Sequence, residues 1–324
     1  MRSIIVTGAL LCAALWGSGN EEQWVRLMQE GAAHEKAGQY AAAAASYHEA
    51  VRLFDHAAGT HLALALNSLA RTNDELGRFS EAERLYRRAL LVVENAGEHE
   101  SPRYAIVLGN LGSLLVENGQ VATGMELLRE ARAMHVRLLP ADDPKIAAID
   151  NGLAEALLGA GKYRESERML NEAVAILEKG PAEAQRELAI TLSNLAVIKR
   201  QQGQLRDSER LLIRSLEILE SELGPQHPLL VRGLNNLATV YGAIHRRDQA
   251  ESTFQRALAL AEKYLGTDHP TYAAVQLNYA DFLRASGRKA EAKTLEMQSK
   301  SVLLDSARRN GVGLTVDVST LRAK

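Results

Sequence analysis

A chain of 324 residues that is 46% apolar and 24% charged can bury a large core, which excludes a disordered polymer. Its 38 basic and 40 acidic residues give a net charge of -2, without the basic face that a general nucleic-acid binder needs. The single cysteine, Cys12, excludes disulfide scaffolds, CxxC redox sites and cysteine-built zinc sites.

The N-terminus carries the pattern of an export signal. Arg2 supplies the positive charge, Ile4 to Trp16 form a mostly apolar run, and Gly17-Ser18-Gly19 offers small residues before a cut at Asn20. The reading is a signal peptide over 1–19, cleaved near Gly19, and an exported mature chain, periplasmic or secreted. An N-terminal helix or tag-like extension is the alternative. A lipid anchor on Cys12 would want a small residue where Leu11 stands. The run falls short of the roughly 20 apolar residues of a membrane-spanning helix, and no second such run follows, so no permanent membrane span is expected.

From residue 24 onward the chain repeats itself. Leu-Asn-Ser-Leu-Ala at 66–70 returns as Leu-Ser-Asn-Leu-Ala at 192–196 and Leu-Asn-Asn-Leu-Ala at 234–238. The second apolar residue of this box falls at Leu69, Leu111, Leu153, Leu195, Leu237 and Tyr279, a constant step of 42 residues. Gly77, Gly119, Gly161, Gly203 and Gly287 keep the same beat, with His245 as the exception. Pro102, Pro144, Pro228 and Pro270 mark the other junction, and Arg186 breaks that series.

Each unit reads as two helices. Leu230, Leu234, Leu237, Ala238 and Tyr241 share one helical face, and Ala250, Phe254, Ala257, Leu258 and Ala261 share another after a turn at His245-Arg246. Gly266 suits the left-handed conformation that ends a helix, and Pro270 suits the first turn of the next. No strand pattern of useful length occurs before residue 312. The array is all-α.

These residues resemble the tetratricopeptide repeat, whose pattern asks for small–x2–Tyr, then Ala–x3–Phe, then a small residue. Ala238, Tyr241, Ala250, Phe254 and Ala257 meet it in full, and Ala70, Ala82, Tyr86 and Ala89 meet it in part, as do Gly31, Ala43, Tyr47 and Ala50. The 42-residue period and Leu-Gly-x-x-His-Pro at 223–228 and 265–270 look like the kinesin-light-chain subtype. The resemblance implies a right-handed α-solenoid over 20–304 with seven repeats, at about 24–58, 61–98, 102–140, 144–180, 186–224, 228–266 and 270–304. Glu296 and Ser299 depart from the pattern in the last one. Residues 305–324 form a tail in which Asn310-Gly311 stops the helix and Leu314 to Val318 alternate. That tail reads either as an extended segment docked on the last repeat or as a frayed end.

Catalytic chemistry finds no purchase here. No HExxH, P-loop, GxGxxG or catalytic GxSxG is present, so neither an enzyme nor a cofactor is expected. His227 and His269 read as caps in the inter-repeat loops, and His56 with His61 is a weak metal pair. What the resemblance implies is a non-enzymatic scaffold that holds a protein or extended peptide in its concave face, with no nucleic acid involved and an oligomeric state that the sequence leaves open. The alternatives are an accessory or regulatory spacer whose function lies in its ends, or an intracellular regulator if residues 1–19 are not a signal.

In families of this kind, ligands touch the first helix of each repeat around its small residue. The equivalent positions here hold Asn67, Asn151 and Asn235, and an asparagine series at Asn110, Asn194, Asn236 and Asn278. That series reads either as a ladder bonding neighbouring helices or as contacts to a ligand backbone; if Asn194 is bonded locally, its loss costs about 1–3 kcal/mol. Gln201 belongs to the same set. Charges divide along the array, with Arg71, Asp74, Glu75, Glu117 and Glu155 in repeats two to four and Arg200, Arg232, Arg284 and Asp281 in repeats five to seven. The expected partner therefore lays its basic part over repeats two to four and its acidic part over five to seven. The reading of the N-terminus is checked by sequencing the mature chain from its native host: a start near Asn20 is expected, and intact Met1 excludes export by cleavage.

Overall fold

The computed structural model describes residues 19–55 and 59–310. Cys12, the apolar run before Gly19, His56 and the alternating segment of the tail lie outside the described residues. Successive helices pair across three-residue turns. The first two pairs are α1 (Gly19–Lys36) with α2 (Tyr40–Leu53) and α3 (Thr60–Glu75) with α4 (Phe79–Asn95). The central pairs are α5 (Pro102–Glu117) with α6 (Val121–Leu138) and α7 (Pro144–Gly159) with α8 (Tyr163–Leu177). The last three are α9 (Gln185–Gln201) with α10 (Leu205–Leu223), α11 (Leu230–Ala243) with α12 (Arg247–Tyr264), and α13 (Pro270–Ala285) with α14 (Lys289–Asn310). Among the described residues there is no strand and no helix long and apolar enough to cross a membrane.

Local chemistry explains the boundaries. Ser101 accepts from Tyr104 N at 3.1 Å, Asp143 from Lys145 N at 2.9 Å, and the ring Nδ1 of His269 from Thr271 N at 3.1 Å. A proline follows each cap at the helix position that has no amide partner to lose. Where Arg186 breaks the proline series, α9 is entered instead through a short 3-10 turn at Ala182–Ala184. At the far end, α14 runs six residues past the expected close of the last repeat at 304.

Within each repeat, the two helices meet at residues too small to hold them apart. Gly112 meets Gly124, Ala154 meets Ser166 and Ala196 meets Ser208, and the equivalent places in other repeats hold the buried pairs Ala70 and Ala82, Ala238 and Ala250, and Ala280 and Ala292. A Cβ on Gly124 would stand 2.6 Å from Gly112 O, so that crossing has no room for even one methyl. The two serines bring a hydroxyl into a dry contact and satisfy it across the crossing, Ser166 to Ala154 O at 2.6 Å and Ser208 to Ala196 O at 2.7 Å. Larger side chains fill the flanks: Tyr47, Tyr86 and Phe254 are fully buried. Ser299, which departs from the repeat pattern, is also buried and bonds Leu295 O at 2.6 Å.

The glycine beat has a backbone cause. Gly38, Gly77, Gly119, Gly161, Gly203 and Gly287 all turn the chain with positive φ between paired helices. His245 occupies the same place with φ of 62°, the one non-glycine in that region among the described residues. Its amide still reaches Gly242 O at 3.1 Å, and Arg246 N reaches Tyr241 O at 2.9 Å, so the turn is kept and only the residue differs. The exposed His245 side chain makes no hydrogen bond there, so His245→Gly relieves the left-handed strain and removes nothing. We expect a gain of about 0.5–1 kcal/mol in urea unfolding after the entropy lost by glycine is set against it.

Candidate functional site

The first helices of the repeats, α3, α5, α7, α9, α11 and α13, line the inside of the curve. The solenoid curls far enough that its last repeats touch its first, so this inner face surrounds a lumen. His227 Nδ1 accepts from Leu229 N at 3.2 Å, which places the ring proton on Nε2; that nitrogen donates to Glu35 O in repeat one at 3.1 Å. Tyr40 stands edge-on to the same imidazole, with ring centroids 6.4 Å apart. A Cβ on Gly38 would lie 2.4 Å from Pro228 Cδ, and one on Gly77 would lie 3.1 Å from Pro270 Cδ. Asn310 Oδ1 accepts from Ser80 N at 3.2 Å, its carbonyl accepts from Ser80 Oγ at 2.6 Å, and its Nδ2 donates to Gly77 O at 3.1 Å.

The asparagine series divides. Asn110 donates to Asn67 at 2.9 Å and Asn278 to Asn235 at 3.1 Å, each amide tying its helix to the one a repeat earlier. Asn151 is buried and donates to Thr191 Oγ1 at 2.9 Å and to Glu187. Asn194 and Asn236 make no side-chain hydrogen bond among the described residues and instead line a cavity of about 360 Å³. Its wall also holds Glu117, Glu155, Arg232 and the apolar Val197. Gln201 is exposed at the end of α9.

The charges predicted to meet a partner meet one another first. Arg232 crosses the lumen from repeat six and places its guanidinium 3.4 Å from Glu117 and 3.8 Å from Glu155. Arg71 pairs with Glu35 at 2.7 Å, and Arg284 pairs with Asp281 at 2.5 Å and with Glu296. Arg200 differs. Its Nε is buried without a partner, it joins no ion pair among the described residues, and burial lowers its pKa. The basic half foreseen along repeats five to seven thus reduces to Arg200 as an uncommitted cation.

Four carboxylates crowd the opposite wall. Desolvation by the surrounding walls, then the charge of Glu117, pushes both Glu75 and Glu155 up to about 7 and raises Asp74 as well, although Glu75 keeps access to water. Glu117 and then Glu155 raise the pKa of Arg232, which stays charged. The sign follows from linkage. Groups whose folded pKa lies above the unfolded value near 4.5 add stability that is fully present below that value and lost as pH rises through 7.

Of the other singled-out histidines, His269 and His61 lie within the described residues. His269 caps α13, and burial pushes it down to about 4. His61 stacks on Phe54 at 5.1 Å and meets Trp24 edge-on at 4.5 Å, while its suggested metal partner His56 lies outside the described residues. Among the described residues no group of three or more His, Cys, Asp or Glu is arranged to hold a metal ion. The contacts that close the lumen were beyond sequence reasoning. His227 and Glu35 are 192 residues apart, and only the departure of Arg186, whose charge acts on both Tyr40 and His227, hinted at a special place.

Comparison with known proteins agrees with this architecture. The tetratricopeptide-repeat profile matches residues 103–179, 187–263 and 233–303, and a second tetratricopeptide-repeat profile matches 62–96. The chain belongs to the tetratricopeptide-repeat family. Similar solved structures include the nearly identical TPR-like repeats of a kinesin light chain from Podosopora anserina, at 26% identity over 62% of this chain and 95% of that one, with a TM-score of 0.47. A Rap protein complexed with Competence and Sporulation Factor aligns over 94% of this chain and 84% of its own at 13% identity and a TM-score of 0.68, a likeness of fold. A comparison with curated proteins returned no match.

The acid cluster yields a pH prediction. Thermal stability should fall as pH is raised from about 5 to about 8, and Glu155→Gln should flatten that fall. An identical slope in wild type and variant would show that the lumen carboxylates do not carry it.

Proposed function

We propose that this protein is a non-enzymatic interaction scaffold that holds an extended peptide segment in the lumen of its solenoid. The fold is typical of protein-interaction scaffolds. The observation that carries the finer reading is the cavity itself: Asn194 and Asn236 line it without partners, at positions from which a ligand backbone is reached, between one acidic wall and an apolar floor. A Rap protein of similar fold was solved in complex with Competence and Sporulation Factor.

The partner's polarity follows from the order of the inner-face charges. Its basic part lies over Asp74, Glu75, Glu117 and Glu155, and a carboxylate meets Arg200. Arg232 sets the threshold, because a basic ligand group must displace it from Glu117 and Glu155. No cofactor, metal or nucleic acid is required. We also propose that the chain is exported, on the N-terminal pattern described above. The spacer alternative would leave the lumen unoccupied.

A fluorescent library of extended peptides with varied charge order, read by anisotropy, tests the groove. Peptides with basic residues followed by acidic ones should bind in one orientation. Arg200→Glu should weaken the best of them by about tenfold, some 1.4 kcal/mol, and reduce the salt dependence, whereas Arg232→Ala, which releases Glu117 and Glu155, should not weaken it. Unchanged affinity at low salt removes the groove assignment.

A further inference from the structure

We propose that the two Leu-Gly-x-x-His-Pro loops are a clasp: the solenoid is a ring that opens where repeats six and seven meet repeats one and two, and the lumen is loaded through that seam. The same contact is made twice, one repeat apart. His227-Pro228 sits on the turn at Gly38, and His269-Pro270 sits on the turn at Gly77. Asn310, at the end of α14, adds a third anchor on Ser80 and Gly77. This register sets the loops against glycine turns with no side chain to exclude them.

The seam is also the weakest line in the molecule. Successive repeats share buried apolar surface, with one large cluster extending from Trp24 to Ala156 and another from Ala189 to Ala292. Neither cluster crosses from the first two repeats to the last two. What crosses is hydrogen bonds, two prolines and one edge-on aromatic contact. Opening elsewhere would expose core, whereas opening here exposes mainly polar groups that water can satisfy. Phe79 of repeat two and Pro270 and Thr271 of repeat seven form part of the cavity wall, so parting the seam opens the cavity directly. A partner segment flanked by folded domains could not thread a closed ring and would enter by this route.

That the ring opens rests on these contacts alone; that opening loads the groove rests on the function proposed above. In a Cys12→Ser background, Asn194→Cys places a single thiol on the lumen wall. Its labelling by a maleimide-linked polyethylene glycol is compared with and without His227→Ala plus Asn310→Ala, neither of which lies in the groove. The clasp variant should label about tenfold faster, while the small reagent N-ethylmaleimide labels the two proteins alike and helicity is unchanged. Equal rates with the bulky reagent overturn the clasp. Should the double variant lose helicity, Ser80→Cys with Asn310→Cys in the Cys12→Ser background decides: oxidation should narrow the size distribution seen by solution scattering, and identical oxidised and reduced profiles overturn the proposal. Faster labelling without peptide binding would remove the groove reading and leave the clasp standing.

Discussion

The geometry of this molecule depends on how closely two helices approach inside each repeat. At the crossing stand Ala, Gly and Ser, and the Gly112–Gly124 contact leaves no space for a methyl group. Side chains this small fix the separation by backbone contact, and a backbone contact does not vary with rotamer. The 42-residue beat repeats the same crossing six times, so each unit is rotated on the last by nearly the same amount. A constant rotation makes a regular curve. Five repeat steps of it bring Gly38 to Pro228 and Gly77 to Pro270.

Closure changes the meaning of the inner-face charges. On an open solenoid, an acidic stretch and a basic stretch lie along one groove and wait for a partner of opposite order. Curled into a ring, they face each other, and Arg232 spans the gap to Glu117 and Glu155. The molecule is partly its own ligand. The pairs at the lumen wall remain open to water, where such a bond contributes at most about 1 kcal/mol, and the seam hydrogen bonds contribute about 1 kcal/mol each. These are small against the apolar packing of successive repeats, two large buried clusters with two smaller ones between them, so the ring is held more strongly along its length than at its join.

The structure also separates two kinds of asparagine that look alike in sequence. Asn110 and Asn278 occur where the preceding repeat offers Asn67 and Asn235 as an acceptor, and they bond it. One repeat before Asn194 the corresponding residue is Asn151, which is committed to Thr191 and Glu187. Asn236 follows a repeat with Ser193 at that place. Those two amides are left facing the cavity. Of the two readings given to the series, the ladder holds for Asn110 and Asn278, while Asn194 and Asn236 have no such bond among the described residues.

The sequence by itself determined the repeat, its two helices, their caps and the turn between them, because these depend on residues within about 42 positions of one another. Its markers were physical: glycine for positive φ, proline for the first helical turn, small residues for the crossing. His245 shows the limit of marker reading, since the residue departs from the beat and the backbone does not. The inner-face residues were legible as a set, through the resemblance to the family. Which of them are free was not, since that depends on contacts between residues as far apart as Arg232 and Glu117, 115 positions. Only the tertiary structure decided that the ring closes, that Arg232 is occupied and Arg200 is not, and that two loops of ordinary cap chemistry form the join. The reason is cumulative: a small rotation per repeat, invisible in any one unit, decides after five of them whether the ends of the array miss each other or touch.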